Sequence, residues 1–200
     1  MNDTKKFAVF VHEMHILINR QQERCKSPSG LAGGVMTYEI MPIAEEHIAS
    51  FRETVDFIAR EEKFLPFLDA PALERMRPFV LTKIREKQPH FVVVNAGTVV
   101  GWCEVELDLS RVFFAHRGGL GVGLLPEYRG KGIGRELMRK TIEAAFDFGL
   151  TRIELTVREQ NVNAIALYKK FGFETEGLQR NALRLQGRYE NLLLMAIVRE

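Results

Sequence analysis

The sequence predicts a three-layer α/β domain. Its 200 residues, 46% hydrophobic and 27% charged, fit a single globular unit with an appendage. From residue 37 onward, apolar spacing gives the order β-α-α-β-β-β-α-β-α-β-β, which builds helices around one sheet. The stretch LLPEYRGKGIG, Leu124 to Gly134, joins a strand to a helix through a glycine-rich loop.

The elements follow in order. Residues 1–36 read as an N-terminal extension and linker, and residues 37–200 as the domain. In the extension Phe7, Phe10, Val11, Met14 and Ile18 recur at helical spacing, and SPSGLAGG, Ser27 to Gly34, is the linker. That helix either packs on its own domain or serves as a dimer arm, so a homodimer stays open. Lys5-Lys6 before FAVFV resembles the start of a secretory leader. His12, Glu13 and His15 break the run, and no small-residue cleavage site follows.

TYEIMPI, from Thr37, is the first strand. Ile48, Phe51, Val55 and Ile58 mark one face of the first helix. A second helix is predicted after Asp69 as N-cap, with Pro71 in its first turn. Its stripe is Leu73, Met76, Val80 and Ile84, and Pro78 should kink or split it. Phe91 to Leu107 reads as two strands joined by a turn at Asn95-Ala96-Gly97. Another strand is predicted from Phe113 to Leu125, its glycines marking a bulge or a close backbone approach. Gly132 to Phe148 is a helix ended by Gly149. Ile153, Leu155 and Val157 alternate as a strand, and Asn161 to Phe171 is a short helix ended by Gly172. Glu174 to Val198 holds two more strands.

Bulk chemistry narrows the function. A net charge of +2 and a single tryptophan, Trp102, argue against a nucleic-acid binder. Cys25 and Cys103 have neither paired nor metal-type spacing, so no disulfide and no metal site are expected. No apolar run approaches the roughly 18 residues of a membrane helix. A soluble, cytoplasmic chain without a membrane partner is expected.

The glycine loop has the makings of an anion site. Free N–H groups of a first helical turn point outward, and the helix dipole adds partial positive charge. Arg129 and Lys131 add charge beside Gly130, Gly132 and Gly134. No Gly-Lys-Ser/Thr follows, so the loop is not a Walker A motif. In a dinucleotide fingerprint the third glycine would fall at Arg135, which disfavours an oxidoreductase.

RGKGIG, Arg129 to Gly134, resembles the acyl-CoA loop of the GNAT superfamily of N-acetyltransferases, Gln/Arg-x-x-Gly-x-Gly/Ala. Leu124 and Pro126 match the residues that precede it. NVNAIALYKKFGF, Asn161 to Phe173, is similar to a second family block, Asn-x-x-Ala-x-x-Leu-Tyr-x-x-x-Gly-Phe. The resemblance covers about Thr37 to Val198, and the C-terminal stretch resembles the YhhY-like branch of small bacterial acetyltransferases. It implies an α-β-α acyl-CoA N-acyltransferase fold with a mixed, centrally splayed sheet. It also implies acetyl transfer from acetyl-CoA, as co-substrate, to a primary amine of a small molecule or peptide.

By that resemblance the pyrophosphate sits on N–H groups of Arg129, Gly130, Lys131, Gly132, Ile133 and Gly134. Val122 and Gly123 flank the pantetheine arm, and the Leu124 N–H faces the thioester oxygen. Asn161 caps its helix and bonds the arm. Tyr168 matches the family's general acid, a phenol that stays protonated at neutral pH. The base is less legible. Glu104 and Glu106 share one strand face, His116 is a further candidate, and Glu62 could attract a cationic acceptor. A non-catalytic acyl-CoA sensor would use the same loop without needing Tyr168.

Overall fold

The computed structural model describes residues 37–109 and 111–199. The extension, its linker and Cys25 lie outside the described residues. Seven strands form one sheet in the order β1-β2-β3-β4-β5-β7-β6. They are β1 (Glu39–Pro42), β2 (His90–Asn95), β3 (Thr98–Leu107), β4 (Arg117–Leu124), β5 (Arg152–Arg158), β6 (Glu174–Leu185) and β7 (Arg188–Val198). The helices are α1 (Ile48–Ala59), α2 (Leu73–Arg85), α3 (Ile133–Asp147) and α4 (Val162–Lys170). The order along the chain is the one the apolar spacing predicts.

The sheet is mixed. Among the described residues only β4 and β5 pair in parallel, and only over Arg117–Gly119 against Arg152–Glu154. Beyond Gly119 and Glu154 no pairing joins them, so the sheet splays at its centre. The steps from β4 to β5 and from β5 to β6 run the same way across the sheet, and right-handed crossovers put α3 and α4 on one face. Helices α1 and α2 cover the other.

On the α1 face, Ile48, Phe51, Val55 and Ile58 recur at helical spacing and are all buried. Phe51 stands edge-on to Trp102 at 5.7 Å and to His90 at 5.0 Å. Val80 and Met76 of α2 and Val92 and Val99 of the sheet complete this core. On the opposite face Ile133, Leu137, Met138 and Ile142 of α3 are buried, and the Thr141 hydroxyl donates to the Leu137 carbonyl at 3.0 Å.

Three expectations change. Helix α2 starts at Leu73 and not after Asp69, because α1 holds the preceding segment. The Asp56 carboxylate accepts the Ala70 N–H at 3.0 Å, and Arg52 Nε donates to the Pro71 carbonyl at 3.0 Å. Pro78 does not split α2, which is anchored on either side by buried Met76 and Val80. Strand β4 starts at Arg117 and not at Phe113. Leu107 pairs with Gly118 as the last rung of β3, so Val112–Phe114 have no strand to join and form a 3₁₀ turn. The β3–β4 register is unbroken, so the β4 glycines mark close approach and not a bulge. A Cβ on Gly123 would collide with the Trp102 ring, and one on Gly118 with Val105.

Candidate active site

The central splay leads to the glycine loop. Leu125 N–H donates to the Val100 carbonyl at 2.9 Å, and Val105 N–H turns to the Pro89 carbonyl at 2.9 Å on the β2 side. Antiparallel strands alternate bonded and non-bonded pairs. Val122 and Leu124, opposite Cys103 and Gly101, are therefore non-bonded pairs, and their N–H groups point away from β3. They face the opening between β4 and β5. Gly123 points its N–H at β3, and its bare Cα makes room for Trp102.

At the end of the splay the chain bends through Pro126–Tyr128 into α3. Gly130 and Gly132 have φ of +71° and +83°, values costly for a residue with a Cβ. A Cβ at either would meet nothing within 4 Å, so the loop's outer face is open. Gly134 has a different task. A Cβ there would press on Leu124 Cδ1 at 3.2 Å, so its lack of a side chain lets α3 seat on β4. The Gly132 carbonyl accepts the Arg135 and Glu136 N–H groups, which leaves those of Ile133 and Gly134 at the open helix end. This cradle, open over backbone N–H groups, fits a pyrophosphate.

Arg129 departs from the sequence reading, which set its charge beside the phosphate. Its guanidinium is committed to the Glu61 carboxylate, with Nη1 donating at 2.8 Å. Its Nε donates to the Leu124 carbonyl at 2.7 Å, and the group lies over the Phe64 ring at 4.7 Å. Its backbone N–H bonds the Pro126 carbonyl. Arg129 thus ties the loop to the segment after α1. Lys131 carries the loop's other cationic side chain.

Asn161 caps α4, its Oδ1 accepting the Ala164 N–H at 3.2 Å. Tyr168, in the last turn of α4, packs its ring 5.9 Å from Phe173. Burial, and then the nearness of Cys103, push the Tyr168 phenol up to about 12. Burial also pushes the Cys103 thiol up to about 12, which leaves it neutral and unreactive.

The carboxylates separate. Glu104 Oε2 lies 2.9 Å from Lys83 Nζ, and Lys83 is only 2% exposed. Burial works against ionisation of Glu104, but Lys83 leads the groups that hold its carboxyl below the usual range. His90 Nδ1 is 3.6 Å from the same oxygen, and burial holds this imidazole down to about 4, hence neutral. Glu106, exposed on the same face, sits above the usual range, first through lost hydration and then through the charge of Glu104. Glu62 (φ 55°) accepts the Gln186 side-chain amide at 2.9 Å, tying its loop to the β6–β7 turn. His116 lies before β4, at the paired end of β4 and β5, away from the opening. Sequence reasoning missed Lys83 and His90. A lysine at the spacing of the Met76–Val80 stripe was the available signal.

Among the described residues no group of three or more metal-ligating side chains converges, and no helix is long and apolar enough to cross a membrane.

Known proteins place this architecture. The acetyltransferase (GNAT) family model matches residues 52–173. An uncharacterized N-acetyltransferase of Mycobacterium tuberculosis is 30% identical over 76% of this chain and 83% of its own length. The Escherichia coli L-amino acid N-acetyltransferase AaaT is 34% identical over 52% of this chain and 64% of its own. The Escherichia coli spermidine N(1)-acetyltransferase is 30% identical over 56% and 59%. In fold, a Salmonella typhimurium protein solved with its cofactor acetyl-CoA superposes with a TM-score of 0.74 at 19% identity, over 80% of this chain and 93% of that one. The splayed sheet, the glycine cradle and the family match together make this chain a member of the acetyltransferase (GNAT) family.

Proposed function

We propose that the chain moves the acetyl group of acetyl-CoA directly to a primary amine of a small molecule or peptide, with Tyr168 as general acid. The observation that carries this reading is the opening between β4 and β5, lined by the Val122 and Leu124 N–H groups and ending at the glycine cradle. Gly130 to Gly134 would hold the pyrophosphate on backbone N–H groups and the helix dipole, with Lys131 beside them. Val122, Gly123 and Leu124 would flank the pantetheine arm, and one N–H of this strand would donate to the thioester oxygen as it gains charge. Asn161 would reach the arm from the start of α4.

Acetyl-CoA supplies an activated acyl group with a thiol leaving group. An acceptor ammonium first loses one proton to a carboxylate on the acidic face of β3. The free amine then forms the C–N bond as the C–S bond breaks, and the new nitrogen releases its second proton to solvent, from which Tyr168 regains the one it gives to the sulfur. Tyr168, protonated throughout the physiological range, donates to the departing sulfur. The two ties at Glu61 and Glu62 frame the acceptor side between the cofactor loop and the β6–β7 turn.

Calorimetric titration with acetyl-CoA, with NADH and ATP as controls, tests the cofactor. Release of free CoA against a panel of amines tests the transfer. Binding of acetyl-CoA alone together with amine-dependent release is expected. Binding without turnover on any amine would favour the sensor reading.

A further inference from the structure

We infer that Glu106 is the carboxylate that receives the acceptor's ammonium, with Lys83 and Glu104 a buried positioning pair behind it, and that the site takes an amine with one positive charge in preference to a polyamine. This rests on the acetyltransfer reading above.

The face of β3 carries Trp102, Glu104 and Glu106 by strand alternation. Opposite them on β4 stand Gly123, Gly121 and Gly119. No β4 side chain covers this strip. A Cβ at Gly121 would touch only Glu104 Cγ, at 3.8 Å, and one at Gly119 would meet nothing within 4 Å. An acceptor moving along the strip passes Glu106 first. It then reaches Glu104, opposite Gly121, next to Val122 and the opening.

The carboxylates around this path are mostly committed. Glu61 is bound to Arg129, and Asp108, just past the end of β3, to Arg111. Glu62 holds Gln186. Glu104 faces Lys83, whose ammonium also lies 4.7 Å over the Phe79 ring. Lys83 Nζ, Glu104 Oε2 and both His90 nitrogens are buried and find no hydrogen-bond partner outside this cluster among the described residues. Removing one member of such a buried pair strands the other. His90 stays neutral beside it, so the cluster sums to zero. The Glu106 carboxylate makes no hydrogen bond or ion pair among the described residues.

The groups that face Glu106 are Glu104 from its own strand, Asp108 just past the strand's end, Lys83 from α2, and bare Gly119 from β4. One carboxylate is thus left to meet one ammonium. A second cation of a polyamine, threaded deeper, would approach Lys83 and a carboxylate already neutralised.

The test uses the full chain, with kcat/KM against pH for a free amino acid, a dipeptide and spermidine, and acetyl-CoA binding measured in parallel. Glu106→Gln should keep acetyl-CoA binding, cut kcat/KM about 100-fold, and abolish the acid limb of the pH profile. Glu104→Gln leaves the Lys83 ammonium unopposed, so it repels the acceptor's ammonium: kcat/KM should fall by about 10-fold or more and the acid limb should move to lower pH. The double variant Lys83→Met with Glu104→Gln removes both charges and should return kcat/KM to within several-fold of wild type. It also serves if Glu104→Gln alone fails to fold. An inactive but acetyl-CoA-binding double variant would put Glu104 on the substrate and overturn the inference. So would an unaffected Glu106→Gln, or a clear preference for spermidine. Loss of acetyl-CoA binding in the wild type would overturn the acetyltransfer reading itself.

Discussion

Tyr168 stands in the last turn of α4, where burial keeps its phenol protonated well above neutral pH. A basic limb in the pH profile below about pH 10 therefore cannot be its titration. Replacing it with phenylalanine keeps the ring against Phe173 and removes only the donor. Tyr168→Phe should lower kcat by about 100-fold and leave the acetyl-CoA dissociation constant unchanged, measured by CoA release and calorimetry. Wild-type turnover would end the acid assignment. The same α4 register sets Asn161 at its start, where the side chain caps the helix.

The glycine loop is an element with two kinds of glycine. Gly130 and Gly132 bend the chain, whereas Gly134 lets α3 close onto Leu124. Gly132→Asp places a Cβ at positive φ and a negative charge at the cradle. Acetyl-CoA binding should be lost while far-ultraviolet dichroism stays native. Retained binding would remove the loop from the site. Arg129 shows how such a loop is positioned, since its bonds to Glu61 and to the Leu124 carbonyl join three elements. Helix α2 is the opposite case, an element that tolerates a local fault. Pro78 lacks an N–H inside a continuous helix held by buried Met76 and Val80. Pro78→Ala should raise stability by about 1–3 kcal/mol, reduced by the freer unfolded chain, as read by urea denaturation. A loss of stability would mean that α2 needs the proline's shape.

Across the whole domain, the neutral His90 beneath α1 makes stability depend on pH. Its folded value of about 4 lies below the ordinary 6.5, so between the two the unfolded chain binds the extra proton. The contribution is complete above pH 6.5 and falls away as pH drops toward 4. Glu104, held below its usual range, adds a further loss once its own unfolded value is passed. Unfolding free energy should drop by about 2 kcal/mol from pH 7 to pH 5 in wild type. His90→Leu should flatten that slope, and an equally steep slope in the variant would move the effect to another group.

Much of this was legible in the sequence because it is decided by near neighbours. The order of elements follows from apolar spacing. The glycine cradle follows from a turn that only glycine enters readily, and the Asn161 cap from a side chain that reaches three residues on. What the sequence could not decide depends on which strands lie side by side. The start of β4 waits on the last rung of β3, and the start of α2 on the Asp56 and Arg52 side chains of α1. The fates of the acidic residues were settled in the same way. Glu104 and Glu106 look alike two positions apart, yet α2 brings Lys83 to one and not to the other. Glu61 meets Arg129 across 68 residues. Charge acts over a few ångströms in space, and only the folded sheet brings those residues that close.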